Sequence, residues 1–419
     1  MEQSMAQGVS ASSDEPNSTV GLNVFDGLRK GDPAPFWLFR GVCGAWGIDR
    51  GRARLDLITV SENATFLLLL DARPEGVVRV SQPGYVGGPL AVASEISWLN
   101  ALHEVEGVHL IDPVPTVRDS FVTTIHDLHG VGWTVISTKY IAGTVLEDLD
   151  NPAPYYTTIG KWAAEFHDQS RRWVRPFGFT RFSWDVRAMV GPSPRWGRWE
   201  QARLSDEGRD VCGRALRRAL GVVATMPRTS RTWGLIHADL RPSNIIRGEG
   251  GRLTVIDFDD SGYGWYLYDY ASSLSFIEHE TYAPELARAW VEGYEGVAGP
   301  FGGDELDMMS ALSMIRRLQM LGWTTNHRED ALPGGLAAQQ APGSVLCAKR
   351  YLRDPRWLLN AGASATPSES VDASQGANPA RAAASRGLVL PGNPCNPLTQ
   401  SDADSGAGRE AASDIRKGV

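Results

Sequence analysis

The sequence predicts an α+β fold in which a small antiparallel β-sheet with one helix precedes a larger, mainly helical region. Residues 50–143 carry short alternating or continuous apolar runs separated by turn signals, whereas from about residue 155 the apolar residues recur at helical spacing. The 419 residues suffice for two ordinary domains, and 42% hydrophobic with 21% charged residues is typical of a globular chain.

The first region is predicted to run strand, strand, strand, helix, strand, strand. "RARLDLITVSENATFLLLL" predicts two strands joined at "SEN", and "GVVRVSQPGY" predicts a third that ends at Pro83 and Gly84. "AVASEISWLNALHEV" sets Ile96, Leu99 and Leu102 at helical spacing. "FVTTIHDLHGVGWTVISTKYIAG" then predicts a hairpin with its turn near "HGVG".

The second region is predicted to be helical around one hairpin. "TTIGKWAAEFHDQS" and "DELDMMSALSMIRRLQMLGW" each carry an apolar stripe along one helix face. Between them, "NIIRGEGGRLTVID" has two β-rich runs on either side of "GEGG", which indicates a hairpin. With the turn centred between Glu249 and Gly250, Asn244 lies opposite about Val255 and Asp257 opposite about Pro242.

The two ends of the chain and its overall charge limit the possible locations and partners. Residues 1–21 are polar and 361–419 are rich in Ala, Ser, Gly and Pro, so both are predicted to be disordered. The four cysteines are far apart, no signal peptide is evident, and the longest apolar run, "FLLLL", is too short for a bilayer. We therefore expect a cytoplasmic protein with no membrane partner. The net charge of -8 argues against a nucleic-acid partner.

Three polar residues converge at one end of the predicted hairpin. Asn244 and Asp257 meet there within a residue or two of register, and Asp239 lies in the loop that leads into the hairpin. Burying ionised carboxylates is unfavourable unless a cation meets them. Carboxylate and amide oxygens suit Mg²⁺, which usually keeps waters and bridges to substrate phosphates. These residues therefore indicate a magnesium and phosphate site.

The motif "HADLRPSN" followed by "VIDFDD" resembles the catalytic core of the kinase-like phosphotransferases. Within them it is similar to the aminoglycoside phosphotransferase and choline kinase families, nearest the branch of the bacterial stress-response kinase and type II homoserine kinase. The resemblance extends over roughly residues 50–325. It implies a two-lobed protein-kinase-like fold, with a nucleotide-binding N-lobe over 22–143 and a catalytic, acceptor-binding C-lobe over 144–360.

The resemblance also implies roles for individual residues. Asp239 would be the catalytic residue that orients the acceptor hydroxyl, and Asn244 and Asp257 would hold Mg²⁺. His237 would brace the catalytic loop, and Asp269 would resemble the family aspartate that stabilises it.

The nucleotide residues follow from the same resemblance. Arg79 would bind the ATP phosphates, paired with Glu95 on the following helix. Asn63, in the turn "SEN", would lie over the phosphates, and the backbone of Lys139 and Tyr140 in the hinge would contact adenine.

The sequence departs from the family pattern at three places. Arg79 stands where the family usually has Lys, although Arg also binds phosphate well and keeps its charge. The chain has no G-x-G-x-x-G loop, as is normal for this branch. Ala238, Arg241 and Ser243 replace the Gly, His and Gly of the common "HGDLHPGN", which weakens any transfer of acceptor identity.

The function implied is transfer of the γ-phosphoryl group of ATP, with Mg²⁺, to a hydroxyl of a small molecule such as an amino-alcohol or aminoglycoside-like acceptor. Two alternatives stay open: a Ser/Thr protein kinase of the stress-response type, and a nucleotide-binding pseudokinase, which Arg79 keeps possible. "VIDFDD" also matches the strand end of haloacid-dehalogenase-type phosphatases, but that reading leaves "HADLRPSN" unexplained. The sequence gives neither the acceptor nor the oligomeric state.

Overall fold

The computed structural model describes residues 22–84, 87–326 and 335–360. The two ends predicted to be disordered, 1–21 and 361–419, lie outside the described residues. Within the described ranges no helix is both long and apolar enough to cross a membrane.

The first part of the fold is built on a five-stranded antiparallel sheet. In chain order, this part contains α1 (Phe36–Trp46), β1 (Ala53–Val60), β2 (Asn63–Leu70), β3 (Arg73–Ser81), α2 (Pro89–Leu102), β4 (His109–Leu110), β5 (Thr123–His126) and β6 (Gly132–Lys139). The strand order is β1-β2-β3-β6-β5, so the predicted succession of strands and helix is confirmed. Helix α1 was not predicted; Gly47, at a φ of 67°, ends it.

The two faces of this sheet have different environments. One face packs against α1 in a closed core that includes Leu38, Phe66 and Trp133. The other face carries a small separate apolar cluster of Ile58, Leu67 and Leu69, with Val77 and Tyr140 against it. Arg79 follows Val77 by two residues on β3, so it lies on this second face, and its side chain contacts Glu95 and lies 3.9 Å from Asp257. This face therefore turns toward the rest of the molecule, and the region between the two is called the cleft.

The second part is mainly helical, with two small sheets. Its elements are β7 (Thr144–Val145), α3 (Tyr156–Arg172), β8 (Ser183–Trp184), α4 (Val186–Val190), α5 (Asp206–Thr225), β9 (Trp233–Ile236), β10 (Ile245–Arg247), β11 (Leu253–Val255), β12 (Gly262–Trp265), α6 (Tyr268–Ser273), α7 (Ala283–Ala298), α8 (Gly303–Asn326), α9 (Leu336–Arg353) and α10 (Trp357–Asn360). The sheets have the orders β4-β11-β10-β7 and β8-β12-β9.

The predicted hairpin is present, one residue out of the predicted register. Ile245 pairs with Val255 in β10 and β11, so Asn244 lies opposite Ile256, whose N–H donates to the Asn244 carbonyl at 2.9 Å. The turn is centred on Gly250, at a φ of 69°, which moves the pairing by one residue. Asn244 and the strand end at Asp257 still meet at the same end of the hairpin, as predicted.

Helix α2 packs with the second part of the molecule. Its buried residues Ile96, Trp98 and Leu99 belong to the large core formed mainly by the C-terminal helices, and Trp98 Nε1 donates to Gln169 Oε1 of α3 at 3.0 Å. Strand β4 also pairs with β11 of the second part. The boundary between residues 143 and 144 stays a prediction.

Helices α3 and α7 approach closely because each has a glycine that faces the backbone of the other helix. A methyl group on Gly160 would lie 2.0 Å from the Trp290 carbonyl, and one on Gly293 would lie 1.8 Å from the Thr157 carbonyl. The close contact brings Tyr294 of α7 to 3.0 Å from His167 Nδ1 of α3. The other ring nitrogen of His167 bonds Asp269, which in turn accepts backbone N–H groups from the loop that carries Asp239.

Candidate active site

The loop that carries Asp239, called the catalytic loop after its predicted role, follows β9 and is held by Asp269. Its carboxylate accepts the N–H groups of His237 at 3.1 Å and Ala238 at 2.6 Å, and it accepts a bond from His167 Nε2 at 2.9 Å. Ala238 has a φ of 66°, a left-handed conformation that is unfavourable for a residue with a Cβ. The buried network around Asp269 therefore fixes a strained loop, as is common at functional sites.

The Asp239 carboxylate has charged partners on both of its oxygens. Arg316 Nη2 of α8 donates to Oδ1 at 2.7 Å, and Arg241 Nε donates to Oδ2 at 3.2 Å. Burial alone would raise the pKa of Asp239, but Arg241 and Arg316 outweigh it and lower the pKa below its usual value. The side chain, 16% exposed, is a fixed anion at the edge of the cleft.

Asn244 is oriented by the same carboxylate. Its Nδ2 donates to the Asp239 carbonyl at 2.9 Å and to Asp239 Oδ2 at 2.8 Å. Both donors of the amide are therefore directed at Asp239. The amide oxygen accepts a long hydrogen bond from Ser243 Oγ, at 3.5 Å, and keeps a second lone pair for another group. Such an oriented oxygen is a suitable ligand for a hard cation.

Asp257, Asp259 and Asp260 form a second acidic loop after β11. Burial in the cleft and the neighbouring Asp259 carboxylate raise the pKa of Asp257 well above its usual value, and the same two causes raise the pKa of Asp260. Asp257 is the most exposed of the three, with 45% of its side chain open to solvent. It also has a φ of 61°, a second left-handed backbone at the site.

These two loops fit a divalent cation. Asp257 has a carboxylate short of counter-charge, and Asn244 offers an oriented oxygen. The described residues contain no ready-made group of three His, Cys, Asp or Glu ligands. A site of one carboxylate and one amide, completed by water and phosphate, is the arrangement that Mg²⁺ usually accepts.

The predicted Arg79 and Glu95 pair is formed. Arg79 Nη2 lies 2.8 Å from both Glu95 carboxylate oxygens, and Nη1 lies 3.9 Å from Asp257 Oδ1. Burial would lower the pKa of Arg79, but the Glu95, Asp259 and Asp257 carboxylates together raise it. The Nε of Arg79 is buried and has no hydrogen-bond partner, so one donor of this fixed cation is available.

The turn between β1 and β2 reaches across the cleft. Asn63 Nδ2 donates to Asp259 Oδ2 at 2.6 Å, and its buried Oδ1 has no hydrogen-bond partner. The adjacent Glu62 accepts a hydrogen bond from Trp323 Nε1 of α8. The turn is thus attached to the second part of the molecule through its polar side chains.

Lys139 and Tyr140, which are predicted to lie in the hinge, stand at the end of β6, and their backbone N–H groups are already engaged. The Lys139 N–H donates to the Asp112 carbonyl at 2.9 Å and the Tyr140 N–H donates to the Glu75 carbonyl at 3.0 Å. Lys139 Nζ lies 3.1 Å from Asp112 Oδ2, with two thirds of its side chain exposed. The Tyr140 side chain packs against the apolar cluster of Ile58, Leu67 and Leu69 under the sheet.

A pocket of about 440 Å³ opens beside the catalytic loop. Among the described residues that line it, the carboxylates belong to Glu147, Asp150 and Glu285, and the guanidinium belongs to Arg241. The rest of the wall is formed by Leu149, Asn151, Pro152, Ala153, Tyr156, Pro242, Ser273, Ser275, Ile277, Tyr282 and Leu286. Arg241 connects the pocket to the site, because its Nη1 lies 3.6 Å from Glu147 and its Nε bonds Asp239.

Two arginines of the site were not found by sequence reasoning. Arg316 is fully buried and donates to Tyr268 and Ser275 as well as to Asp239. Arg181 is buried between α2 and the acidic loop. Neither belongs to a short motif, and the partners of each come from distant segments, so no local signal identifies them.

Comparison with known proteins agrees with the fold and the motifs. The chain is 23% identical over 176 residues to amicoumacin kinase of Bacillus subtilis (strain 168), a match that covers 42% of this chain and 49% of that protein. The chain therefore aligns with only about half the length of this curated relative.

Two solved structures are similar over most of this chain. The structure of a microcompartment-associated aminopropanol kinase is 31% identical, with a TM-score of 0.68 over 76% of this chain and 98% of that one. An amicoumacin kinase in complex with AMP-PNP, Ca²⁺ and Ami is 15% identical, with a TM-score of 0.58 over 74% of this chain and 92% of that one. The fold predicted from the motifs is confirmed.

A family model decides the classification. The model described as the phosphotransferase enzyme family, APH, matches residues 59–306, which include strands β2 to β6, the catalytic loop and the acidic loop after β11. Because this match takes in more than half of the sequence, the chain belongs to the phosphotransferase enzyme family.

Proposed function

We propose that this protein is an ATP- and Mg²⁺-dependent kinase that transfers the γ-phosphoryl group of ATP to a hydroxyl of a small molecule carrying an amine. The observation that carries this proposal is the fixed Asp239 carboxylate, set between the oriented Asn244 amide and the acidic pocket. Family membership and the similarity to kinases agree with it.

The nucleotide would lie between the sheet and the acidic loop. The apolar cluster of Ile58, Leu67 and Leu69, with Tyr140, suits the adenine ring. Arg79 extends this surface on β3, two residues after Val77, and would bind the phosphates with Nη1 and the unpartnered Nε. Since both hinge N–H groups are engaged, adenine recognition would rely on the Tyr140 side chain and on other backbone groups.

The metal would be held by Asn244 and Asp257. Bound there, Mg²⁺ supplies charge neutralisation for the phosphates. Asn63 Oδ1, buried without a partner in the turn over the cleft, is suited to accept a hydrogen bond from the nucleotide or its waters.

Asp239 would orient the acceptor. In the reaction the acceptor oxygen forms a bond to the γ-phosphorus, and the bond from that phosphorus to the bridging oxygen breaks, so that ADP leaves. The proton of the acceptor hydroxyl passes to solvent water. Asp239 stays ionised because Arg241 and Arg316 lower its pKa, so its main contribution is to accept the hydroxyl hydrogen bond and align the oxygen. Positioning of this kind suffices for a loose phosphoryl-transfer transition state.

The pocket supports an amine on the acceptor. Glu147, Asp150 and Glu285 face a pocket whose basic residue, Arg241, is already paired with Asp239 and Glu147. An ammonium group would complete the balance of charge. The similarity to an aminopropanol kinase supports an amino-alcohol.

The decisive experiment is a transfer assay with labelled ATP. The protein is incubated with γ-labelled ATP and Mg²⁺ and with pairs of acceptors that differ only in the amine, such as an amino-alcohol and the corresponding diol, together with aminoglycosides and general protein substrates. We expect label on amine-bearing acceptors. We expect Asp239→Asn to lose about 10³-fold in kcat while it still binds AMP-PNP.

Asp210→Asn, on the exposed surface of α5, is the matched control and should keep full turnover. Label on the protein substrates or on the chain itself would favour a protein kinase. Full transfer by Asp239→Asn would reject the catalytic assignment. ATP binding without transfer to any acceptor would favour a pseudokinase.

A further inference from the structure

Among the side chains that join helix α2, which carries Glu95, to the second part of the molecule, the buried Arg181 contacts both Glu95 and the acidic loop. This arginine lies in the segment between α3 and β8, and only 1% of its side chain is exposed. Its Nη1 donates to the Ala91 carbonyl of α2 at 3.1 Å and lies 3.5 Å from Glu95 Oε2. The guanidinium therefore contacts both the backbone of α2 and the carboxylate that holds Arg79.

The other face of Arg181 is bonded to the acidic loop. Nε donates to the Ser261 carbonyl, and Nη2 donates to the Asp259 carbonyl. The planar guanidinium, with donors in a fixed fork, thus joins the helix of Glu95 to the loop of Asp257 in one geometry. A lysine could not make these four contacts, because its ammonium is a single point with three donors.

Neighbouring contacts strengthen the same connection. The Thr180 N–H donates to Ser94 Oγ of α2 at 3.0 Å, and Trp184 Nε1 donates to the Asp260 carbonyl at 2.7 Å. Trp98 of α2 packs edge-on against Phe258, with ring centroids 6.1 Å apart. The segment 180–184 therefore fixes α2 and the acidic loop together from one side.

We propose that Arg181 is a positioning residue that holds Glu95 and the Asp257–Asp260 loop in their working geometry before any nucleotide binds. It acts through Glu95 on Arg79 and through two carbonyl groups on the acidic loop. On this basis α2 is already held where Glu95 pairs with Arg79. The protein then needs no conformational change of α2 to assemble its phosphate site. The part of this inference that concerns nucleotide affinity rests on the proposed function.

Hydrogen exchange of the protein without nucleotide tests the fastening directly. We expect Arg181→Met to raise amide exchange in residues 89–102 by about tenfold or more, while β2 in the sheet keeps its protection. Arg317→Met is the matched control, because Arg317 is equally buried but pairs with Glu278, 2.7 Å away, among the C-terminal helices. If α2 exchanges no faster in Arg181→Met than in the control, the proposal is wrong. Arg181→Lys, which keeps a cation, gives the same test if the Met variant fails to fold.

A double-mutant cycle separates positioning from general loss of structure. Affinity for AMP-PNP with Mg²⁺ is measured by calorimetry for the native protein, Arg181→Met, Glu95→Gln and the double variant. We expect about a tenfold weakening of AMP-PNP affinity from Arg181→Met in the native background. The weakening should be clearly smaller when Glu95 is already Gln, because only the contacts of Arg181 with the acidic loop then remain. Equal weakening in both backgrounds would show that Arg181 does not act through Glu95. If the native protein binds no AMP-PNP, the proposed function fails, and the exchange experiment still decides the fastening of α2.

Discussion

The two acidic loops of the cleft carry the same side chain in opposite electrostatic states. In the catalytic loop the pKa of Asp239 is lowered, because Arg241 and Arg316 outweigh the effect of burial. In the loop after β11 the pKa values of Asp257 and Asp260 are raised well above the usual range, by burial and by Asp259. Both loops contain a residue in the left-handed backbone region, Ala238 in one and Asp257 in the other.

The difference comes from the partners that each loop receives. Asp239 accepts from two guanidinium groups and the Asn244 amide, all within 3.2 Å. Asp257 has a guanidinium nitrogen of Arg79 at 3.9 Å, and that arginine is already shared with Glu95. The protein thus completes the surroundings of Asp239 from its own residues and leaves Asp257 with excess negative charge.

This contrast shows that folding alone supplies the charged partners of Asp239, whereas Asp257 still lacks a cation. A carboxylate that is fully paired is fixed in place and stays ionised, as suits a residue that aligns a hydroxyl. A carboxylate held among like charges favours any divalent cation that relieves the repulsion. Under the proposed function, the first loop serves the acceptor and the second serves Mg²⁺.

The largest expected effect is on activity, and the response to Mg²⁺ concentration should distinguish variants of the two loops. Asp257→Asn and Asp239→Asn should each lower kcat/KM for phosphoryl transfer by roughly 10³-fold. Raising the Mg²⁺ concentration should recover part of the activity of Asp257→Asn, because the remaining amide oxygens still bind the ion weakly. It should recover none of the activity of Asp239→Asn, whose defect is in acceptor alignment.

A metal titration of steady-state rates for the two variants makes this comparison. The native protein sets the saturating level. Equal recovery of both variants by Mg²⁺ would mean that the two aspartates share one role, and the contrast between the loops would then be wrong.

A second effect, about tenfold or more in kcat, is expected from the buried cation of the catalytic loop. Arg316→Met should leave the Asp239 carboxylate with Arg241 and Asn244 alone, so that it turns more freely. It should also destabilise the fold by about 3 kcal/mol, because Tyr268 and Ser275 lose a buried partner. Rates and denaturant unfolding are compared with Arg317→Met, which removes the neighbouring buried arginine but no contact to Asp239. Equal losses of kcat in the two variants would remove Arg316 from the site.

Sequence reasoning predicted the parts of the site that are local in the chain. Asn244 and Asp257 are joined by a hairpin whose turn is visible as "GEGG", so their meeting follows from pairing alone. The one-residue error in register arose because Gly250 takes a left-handed conformation at the centre of the turn, which a count of residues cannot reveal. Arg79 and Glu95 were predicted from the family resemblance, which matches them to a cation on the third strand and a glutamate on the following helix.

The electrostatic balance of the site could not be predicted in the same way. Arg316 meets Asp239 from a helix 77 residues further along, and Arg181 meets the acidic loop from a segment 78 residues earlier. Both lie in stretches whose apolar pattern indicates only packing. Whether a carboxylate is paired or crowded depends on such tertiary contacts, so the opposite pKa shifts of Asp239 and Asp257 became evident only in the folded chain.

The smallest expected effect is on stability without metal, and it has opposite signs in the two loops. Because the pKa of Asp257 is raised on folding, the folded state binds more protons than the unfolded state between the two pKa values, and repulsion weakens the fold at higher pH. Asp257→Asn should therefore stabilise the metal-free protein, by about 1 kcal/mol near pH 8, a modest gain because 45% of the side chain is open to screening solvent. The gain should shrink as the pH falls toward about 5.

Asp239→Asn should destabilise the protein by roughly 2 kcal/mol, because it leaves Arg316 without its anion. Since the pKa of Asp239 is lowered on folding, that loss should stay constant over the same pH range. Denaturant unfolding of the two variants and the native protein across this range measures both. A gain that is independent of pH in Asp257→Asn would mean that Asp257 is not crowded by its neighbours, and the distinction between the loops would then rest on geometry alone.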